Sequence, residues 1–438
     1  MEKEFDYNFK NYNIYKQVSL FVYIKFHTMG EPQNATPKST HFFSLFTIVY
    51  FCLYIFPFPL ESVPFVGSIF KYYTKAFDWL VVWTGKNIFG LEHIEKIKMT
   101  GSGDTTFDFF RLFTLIVLAV FVTGLLFKSK IDKQKIIVFG RTYARYFLAF
   151  MLLSYGFSKF FEGQFPYPSL ERLDQKIGDS SPMGLLWTFM GYSKSYAAFG
   201  GLCQVSAGFL LFFRRTSVIG SLMALAVMTN VVVLNFSYDV PVKLFSTHLV
   251  LMALLILAPN LKNLFGLLFQ HKNSKLVSEQ SLIKKKNLKY VVLSLKFIAI
   301  AGCVLLFLMI QIRSFINKPS NHLQAIYYPK KSLAAKDISW EKLIIGNRYV
   351  TVFYDTKNYE DFDTEIDTTQ QIIQLKSQSD TLIVHTLKYR FSDDDKTMYL
   401  SGLFKTDSIS AQFDAKRKED FELVKRSFNW INEYPYNR

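Results

Sequence analysis

Seven apolar runs, alternating with short connectors, set the plan of this chain. The densest group, from Arg141 to Leu268, reads as four consecutive membrane-spanning helices: about Ile136 to Phe161, Tyr196 to Phe213, Val218 to Phe236 and Leu244 to Phe265. Two runs precede it. Phe42 to Phe58 is ended by Pro57 and Pro59 and is near the short limit for about 30 Å of hydrocarbon. Phe107 to Phe127 is the second. Between them KYYTKAFDWLVVWTGKNIF puts Trp79, Val82 and Trp83 near one face, with Lys75 and Lys86 at the ends, the pattern of an amphipathic helix lying on a membrane surface. A seventh run extends from Tyr290 to Ile312. The loop FEGQFPYPSLERLDQKIGDSSPMG, broken by Pro166, Pro168 and Pro182, separates the third and fourth spans, and GLLWTFMGYSKS after it predicts a short interfacial helix.

Beyond the seventh run the period changes from helical to alternating. YVTVFY, QQIIQL, TLIVHTLKYRF, TMYLSGLF and SISAQF have strand composition, with turn clusters at Ser377 to Asp380 and Asp393 to Asp395. They predict an antiparallel meander closed as a small sandwich or barrel, with the aromatic tail SFNWINEYPYNR capping its core. The expected fold class is therefore a membrane all-α bundle of about seven transmembrane helices followed by an antiparallel all-β domain. Its parts are a polar tail, 1–40; two additional spans with the amphipathic segment, 41–135; a four-helix core, 136–269; a basic linker, 270–289; the seventh span, 290–312; and the β domain, 319–438. The tail has no apolar run long enough for a signal peptide. Its stretch before Met29 lacks periodicity, which points to Met29 as the translation start.

Charge refines this picture. Half of the residues are apolar, 17% are aromatic, and the net charge is +16. From Arg313 onward the balance is nearly even, with 19 basic and 18 acidic residues. The excess therefore sits among the apolar runs and argues against nucleic-acid binding. The basic connectors are 128–135, Arg214 with Arg215, and 270–289, which includes Lys272, Lys275, Lys284, Lys285, Lys286 and Lys289. With seven spans all three fall on one side, the cytoplasm by the positive-inside rule. The mixed-charge loop 161–195 and the β domain then fall outside. Cys52, Cys203 and Cys303 lie inside apolar runs without metal-ligand spacing and read as small packing residues.

Polar groups within spans are costly, so each is a site candidate by default. Arg145, Tyr155 and Lys159 share a face of the third span. Arg145 and Lys159 stand roughly 21 Å apart along it, and both also fit snorkelling at helix ends. Gln204 lies between Gly200 and Gly208, a stripe that admits a close neighbour and suits an interhelical hydrogen bond as well as a ligand. Asn230 and Asn235 occupy the outer half of the fifth span. Ser246, Thr247 and His248 occupy that of the sixth, with Asp239 and Lys243 in the turn between. Lys159 and Glu162 end the third span on the same side. His248 is suited to proton exchange near neutral pH or to a hydrogen bond with Asn230 or Asn235. The expected site is thus Lys159 and His248 as the chemical groups, with Arg145, Tyr155, Gln204, Asn230 and Asn235 around a substrate. No phosphate-binding loop, dinucleotide fingerprint, zinc-protease helix or nucleophile elbow occurs where it would carry weight, and no metal site is expected.

The stretch Arg141 to Leu268 resembles the DoxX family of small four-helix membrane proteins. The likeness rests on Arg145, Gly156 and Lys159 in RYFLAFMLLSYGFSKFF, on CQVSAGFLLFFRR, and on the runs SSPMGLLWTFMGYSKSYAAFGGL and NFSYDVPVKLFSTHLVLMALLIL. Gln204 stands where that family often has an acid. The resemblance implies a bacterial inner-membrane protein tied to membrane redox or sulfur stress, with a quinone or another small lipophilic molecule as substrate. The alternative is a non-enzymatic anchor whose spans, set among membrane lipids, present the β domain to an extracytoplasmic partner. A permease is a third class, but no inverted repeat or broken-helix pair is visible.

Overall fold

The computed structural model describes residues 38–62, 65–96, 101–273, 275–277, 286–316, 321–332, 340–347, 349–355, 358–377, 383–405, 407–426 and 429–437. The expected start at Met29, nearly all of the polar tail, Lys284 with Lys285 of the basic linker, and most of the 377–380 turn lie outside the described residues. The chain forms two compact units. One comprises the described residues up to Lys96 with Thr106–Tyr143, the other residues 101–105 with those from Ala144 onward.

In the first unit, α1 (Lys38–Ile55) packs against α3 (Thr106–Lys128), and its Leu45, Ile48, Val49 and Phe51 are buried. The helix α2 (Val66–Asn87) lies between them in sequence. Its Val81, Thr84 and Gly85 are buried, while Ile69, Tyr72, Trp79 and Trp83 are exposed, as the amphipathic pattern requires. Among the described residues, six helices are long and apolar enough to cross a membrane. The first expected span is not among them. Its apolar part, Phe42–Ile55, reaches about 21 Å at 1.5 Å per residue, because the Pro57 and Pro59 turn stops it.

The second unit begins with the outer half of α4 (Lys133–Phe160) and continues through α5 (Leu170–Asp174), α6 (Pro182–Tyr192), α7 (Lys194–Phe212) and α8 (Ser217–Ser237). Next come α9 (Lys243–Leu257), α10 (Leu261–Phe269) and α11 (Lys286–Ile316). The starts of α5, α6 and α7 are capped by Ser169, Ser181 and Ser193, whose side chains accept from Arg172, Gly184 and Tyr196 N–H. The helices α4 and α7 touch backbone to backbone. A methyl group on Gly156 would lie 2.8 Å from the Gly201 carbonyl oxygen, and one on Gly208 would lie 2.9 Å from that of Ala149. The expected stripe is thereby corrected. Gly200 has nothing within 4 Å, and Gly201 makes the crossing.

The β domain is a closed antiparallel barrel of eight strands in sequence order: β1 (Ala325–Ser332), β2 (Lys342–Ile345), β3 (Tyr349–Phe353), β4 (Tyr359–Asp367), β5 (Ile372–Ser377), β6 (Val384–Phe391), β7 (Thr397–Phe404) and β8 (Asp407–Lys416). β8 pairs back onto β1, so no edge is left open. Inward side chains, among them Tyr327, Val352, Phe362, Leu375, Leu400 and Phe413, form one apolar core, each contributing roughly 1.5–3 kcal/mol on burial. The tail does not cap this core. Trp430 is 87% exposed, and Ile431 and Tyr434 are also exposed. Trp340 packs edge-on against Phe404 at 5.0 Å within the core cluster, so the tail rings are not needed there.

Candidate functional site

The end of the helical core at the α8–α9 turn is organised by three contacts. The Asp104 carboxylate accepts from Lys243 N (2.7 Å) and Leu244 N (2.9 Å), capping the start of α9, while Gly103 N donates to the Pro241 carbonyl. An apolar cluster of Phe165, Leu186, Met190, Ala197 and Val240 packs the loop after α4 onto α6, α7 and the α8–α9 turn. The same loop meets the barrel through α5. Leu170 is buried with Ile326, Ile344 and Phe421 on the barrel's outer wall. Asp174 accepts from Tyr328 Oη (2.6 Å) and Lys342 Nζ (2.7 Å), with Lys416 at 3.7 Å, and Glu171 accepts from Tyr349 Oη (2.8 Å). Burial alone would raise the Asp174 pKa. The Lys342 and Tyr328 hydrogen bonds and the lysine charges outweigh it and hold the carboxyl below its ordinary value. Loop 161–193 and the barrel therefore share one end of this unit.

Lys159, at the last turn of α4, is 7% exposed. Its ammonium faces the Phe165 ring, 6.0 Å from the centroid, and its Cβ lies against Gly201. Among the described residues no carboxylate pairs with it and no acceptor takes its hydrogen bonds. Glu162, the acid nearest in sequence, is held by Lys194 at 2.7 Å. Asn235 is buried on α8 and donates to Ser246 Oγ (3.0 Å), which in turn donates to the Lys243 carbonyl (3.1 Å). That chain ties α8 to the first turn of α9.

The other expected residues take different places. His248 is buried, with Nδ1 2.6 Å from the Leu244 carbonyl of its own helix. The rings of Tyr155 and Phe245 meet at 6.1 Å between α4 and α9. Asn230 is corrected: it lies on the exposed surface of α8 and not among the buried polar residues. Tyr155 is partly exposed. Gln204 is buried in the bundle, with Nε2 3.6 Å from Met228 Sδ and Oε1 without a partner among the described residues.

Arg145, near the middle of α4, is fully buried. It donates to the Leu211 carbonyl and stacks over Tyr146 at 4.7 Å. Lys296 of α11 donates to the neighbouring Phe212 carbonyl and lies over Phe213 at 4.8 Å. Two cations thus neutralise the carbonyl end of α7. Asp104, Glu171, Asp174, Gly201 and Lys296 were not singled out by sequence. Four of them meet partners distant in the chain, which no local pattern encodes.

These features define a multi-pass helical membrane protein with a closed eight-stranded barrel as its last domain. The chain belongs to the same family as the uncharacterized protein YwoB of Bacillus subtilis strain 168, to which it is 32% identical over 126 residues, 29% of this chain and 80% of YwoB. No family model matches the chain, and no solved structure does.

Proposed function

We propose that this protein is an inner-membrane component that holds a small lipophilic molecule by its polar head at Lys159, with the barrel on the extracytoplasmic side. The observation that carries the reading is a buried lysine whose ammonium has no acceptor among the described residues, beside an apolar cluster. An ionisable group in such a place is retained at a cost that packing alone does not repay. The DoxX resemblance makes a quinone-linked, redox-associated role the natural setting, and a quinone carbonyl is an acceptor for the Lys159 N–H. The arrangement of basic connectors supports the stated orientation. The test is equilibrium binding of a short-chain naphthoquinone and other lipophiles to the full-length protein in phosphatidylcholine nanodiscs. Saturable binding weakened at least tenfold in Lys159→Met is expected. Absence of saturable binding by any lipophile overturns the reading.

A second reading is favoured by the α5 contact with the barrel wall. Here the spans anchor the barrel and present it to an envelope partner. Rescue of a deletion strain by Lys159→Met would favour this anchor role, and failure of rescue would favour the ligand site.

A further inference from the structure

We infer that the head of the molecule held at Lys159 is a monoanion, a carboxylate on an apolar chain. The inference rests on the lipophile-binding reading and names the chemistry of its head group. It begins from a charge account of the outer end of the core. Glu162 is paired with Lys194 at 2.7 Å, and Lys243 has Asp239 at 2.7 Å and Asp104 at 4.0 Å. Asp174 is taken by Lys342 and Lys416, and Glu171 by the Tyr349 hydroxyl. Each of these cations has its acid. Lys159 alone among them has none within the described residues.

Its surroundings supply little in exchange. The Phe165 ring offers a weak quadrupole attraction, small beside the cost of dehydrating an ammonium. A neutral carbonyl would supply one hydrogen-bond acceptor and leave the charge standing. A carboxylate supplies acceptors and the missing charge together. A dianion would overshoot. The lysines on the neighbouring elements have their own acids, which leaves one cation for one anion. Phe165, the ring facing the ammonium, packs with Leu186, Met190 and Val240 in one apolar cluster, a surface that suits a hydrocarbon chain beside the head.

The test compares palmitate with hexadecanol, which has the same chain and a neutral head, on the full-length protein in phosphatidylcholine nanodiscs at pH 7.5. Saturable palmitate binding is expected, with hexadecanol at least tenfold weaker. Lys159→Met should lose at least tenfold in palmitate affinity, and Lys159→Arg should keep most of it. Equal binding of the two probes overturns the inference in the unaltered protein, whatever the variants do. Palmitate affinity unchanged in Lys159→Met also overturns it. Binding of the naphthoquinone without palmitate refutes the anionic head but leaves the lipophile site standing. Binding of none of the three removes both.

Discussion

Replacing Asp174 with alanine should release α5 from the barrel wall. The carboxylate accepts from Tyr328 and Lys342 at 2.6 and 2.7 Å. The side chains of Asp174 and Lys342 are 12% and 17% exposed, so water replaces these bonds poorly. A hydrogen bond to a charged group contributes about 1.5–3 kcal/mol. Partial solvent contact places the pair together near 3 kcal/mol, roughly a hundredfold in the docking equilibrium. Leu170 stays buried and Glu171 keeps Tyr349, so docking weakens without being abolished. The measurement is amide hydrogen exchange of residues 169–175 in nanodiscs, with protection expected to fall by one to two orders of magnitude. Asp174→Asn keeps an acceptor for Tyr328 and should lose about half as much on the logarithmic scale. The pH dependence follows from the direction of the shift. A carboxyl whose folded pKa is depressed stabilises fully above its ordinary value of 3.8 and loses that contribution as pH falls through the lower folded value. Protection in the unaltered protein should therefore stay flat between pH 7 and 5. Exchange in Asp174→Ala within twofold of the unaltered protein would refute the reasoning.

Three further outcomes are expected. Gly201→Val drives its side chain into the Gly156 carbonyl, 2.6 Å from the Cβ position; it should cost about 1–3 kcal/mol and lower the thermal midpoint, while Gly200→Val should not. Arg145→Met strips a donor from the α7 carbonyl end and should destabilise by about 1–3 kcal/mol, whereas Lys159→Met removes a lone buried charge and should be neutral or stabilising; thermal unfolding in one detergent separates the two. Phe413→Ala in the barrel core should cost about 3–5 kcal/mol, and Trp430→Ala less than about 0.5 kcal/mol, read from chemical denaturation of the full-length protein.

The spans were legible because each carries its own apolar signal. The barrel was legible only in part, and its missed strands show why. β4, YEDFDTEID, turns an acidic face outward and a single fully buried residue, Phe362, inward, so its alternation is hidden. β2 is four residues long. β1 contains Pro329 and a bulge before Lys331, which lowers its strand signal. Gly200 fits the repeat of four that runs through Gln204 to Gly208, whereas Gly201, seven residues before Gly208, does not; the backbone of α4 selects Gly201 all the same. The α5 helix is five residues in a loop with two prolines, and its partners on β1, β2 and β3 lie more than 150 residues away.

A buried polar group in a span is evidence of function only after its structural uses are subtracted. Arg145 is spent on the Leu211 carbonyl, Asn235 on Ser246, and the His248 Nδ1 on the Leu244 carbonyl. Asn230 faces outward from its span and is no part of the buried set. Gln204 leaves one acceptor unsatisfied, a cost of about 1–3 kcal/mol, which tight packing at the Gly201 and Gly208 crossing can absorb. Lys159 is the remainder. A lysine stem long enough to carry its ammonium past Phe160 to water instead lies under Phe165, a residue the rigid Pro166–Pro168 segment holds in place. An apolar residue of similar length would fill the same volume without the dehydration penalty, so the ammonium needs a purpose outside the packing. This is why the stability of Lys159→Met, and not its activity alone, bears on the site: a variant that folds better and binds less is the signature of a group kept for its ligand.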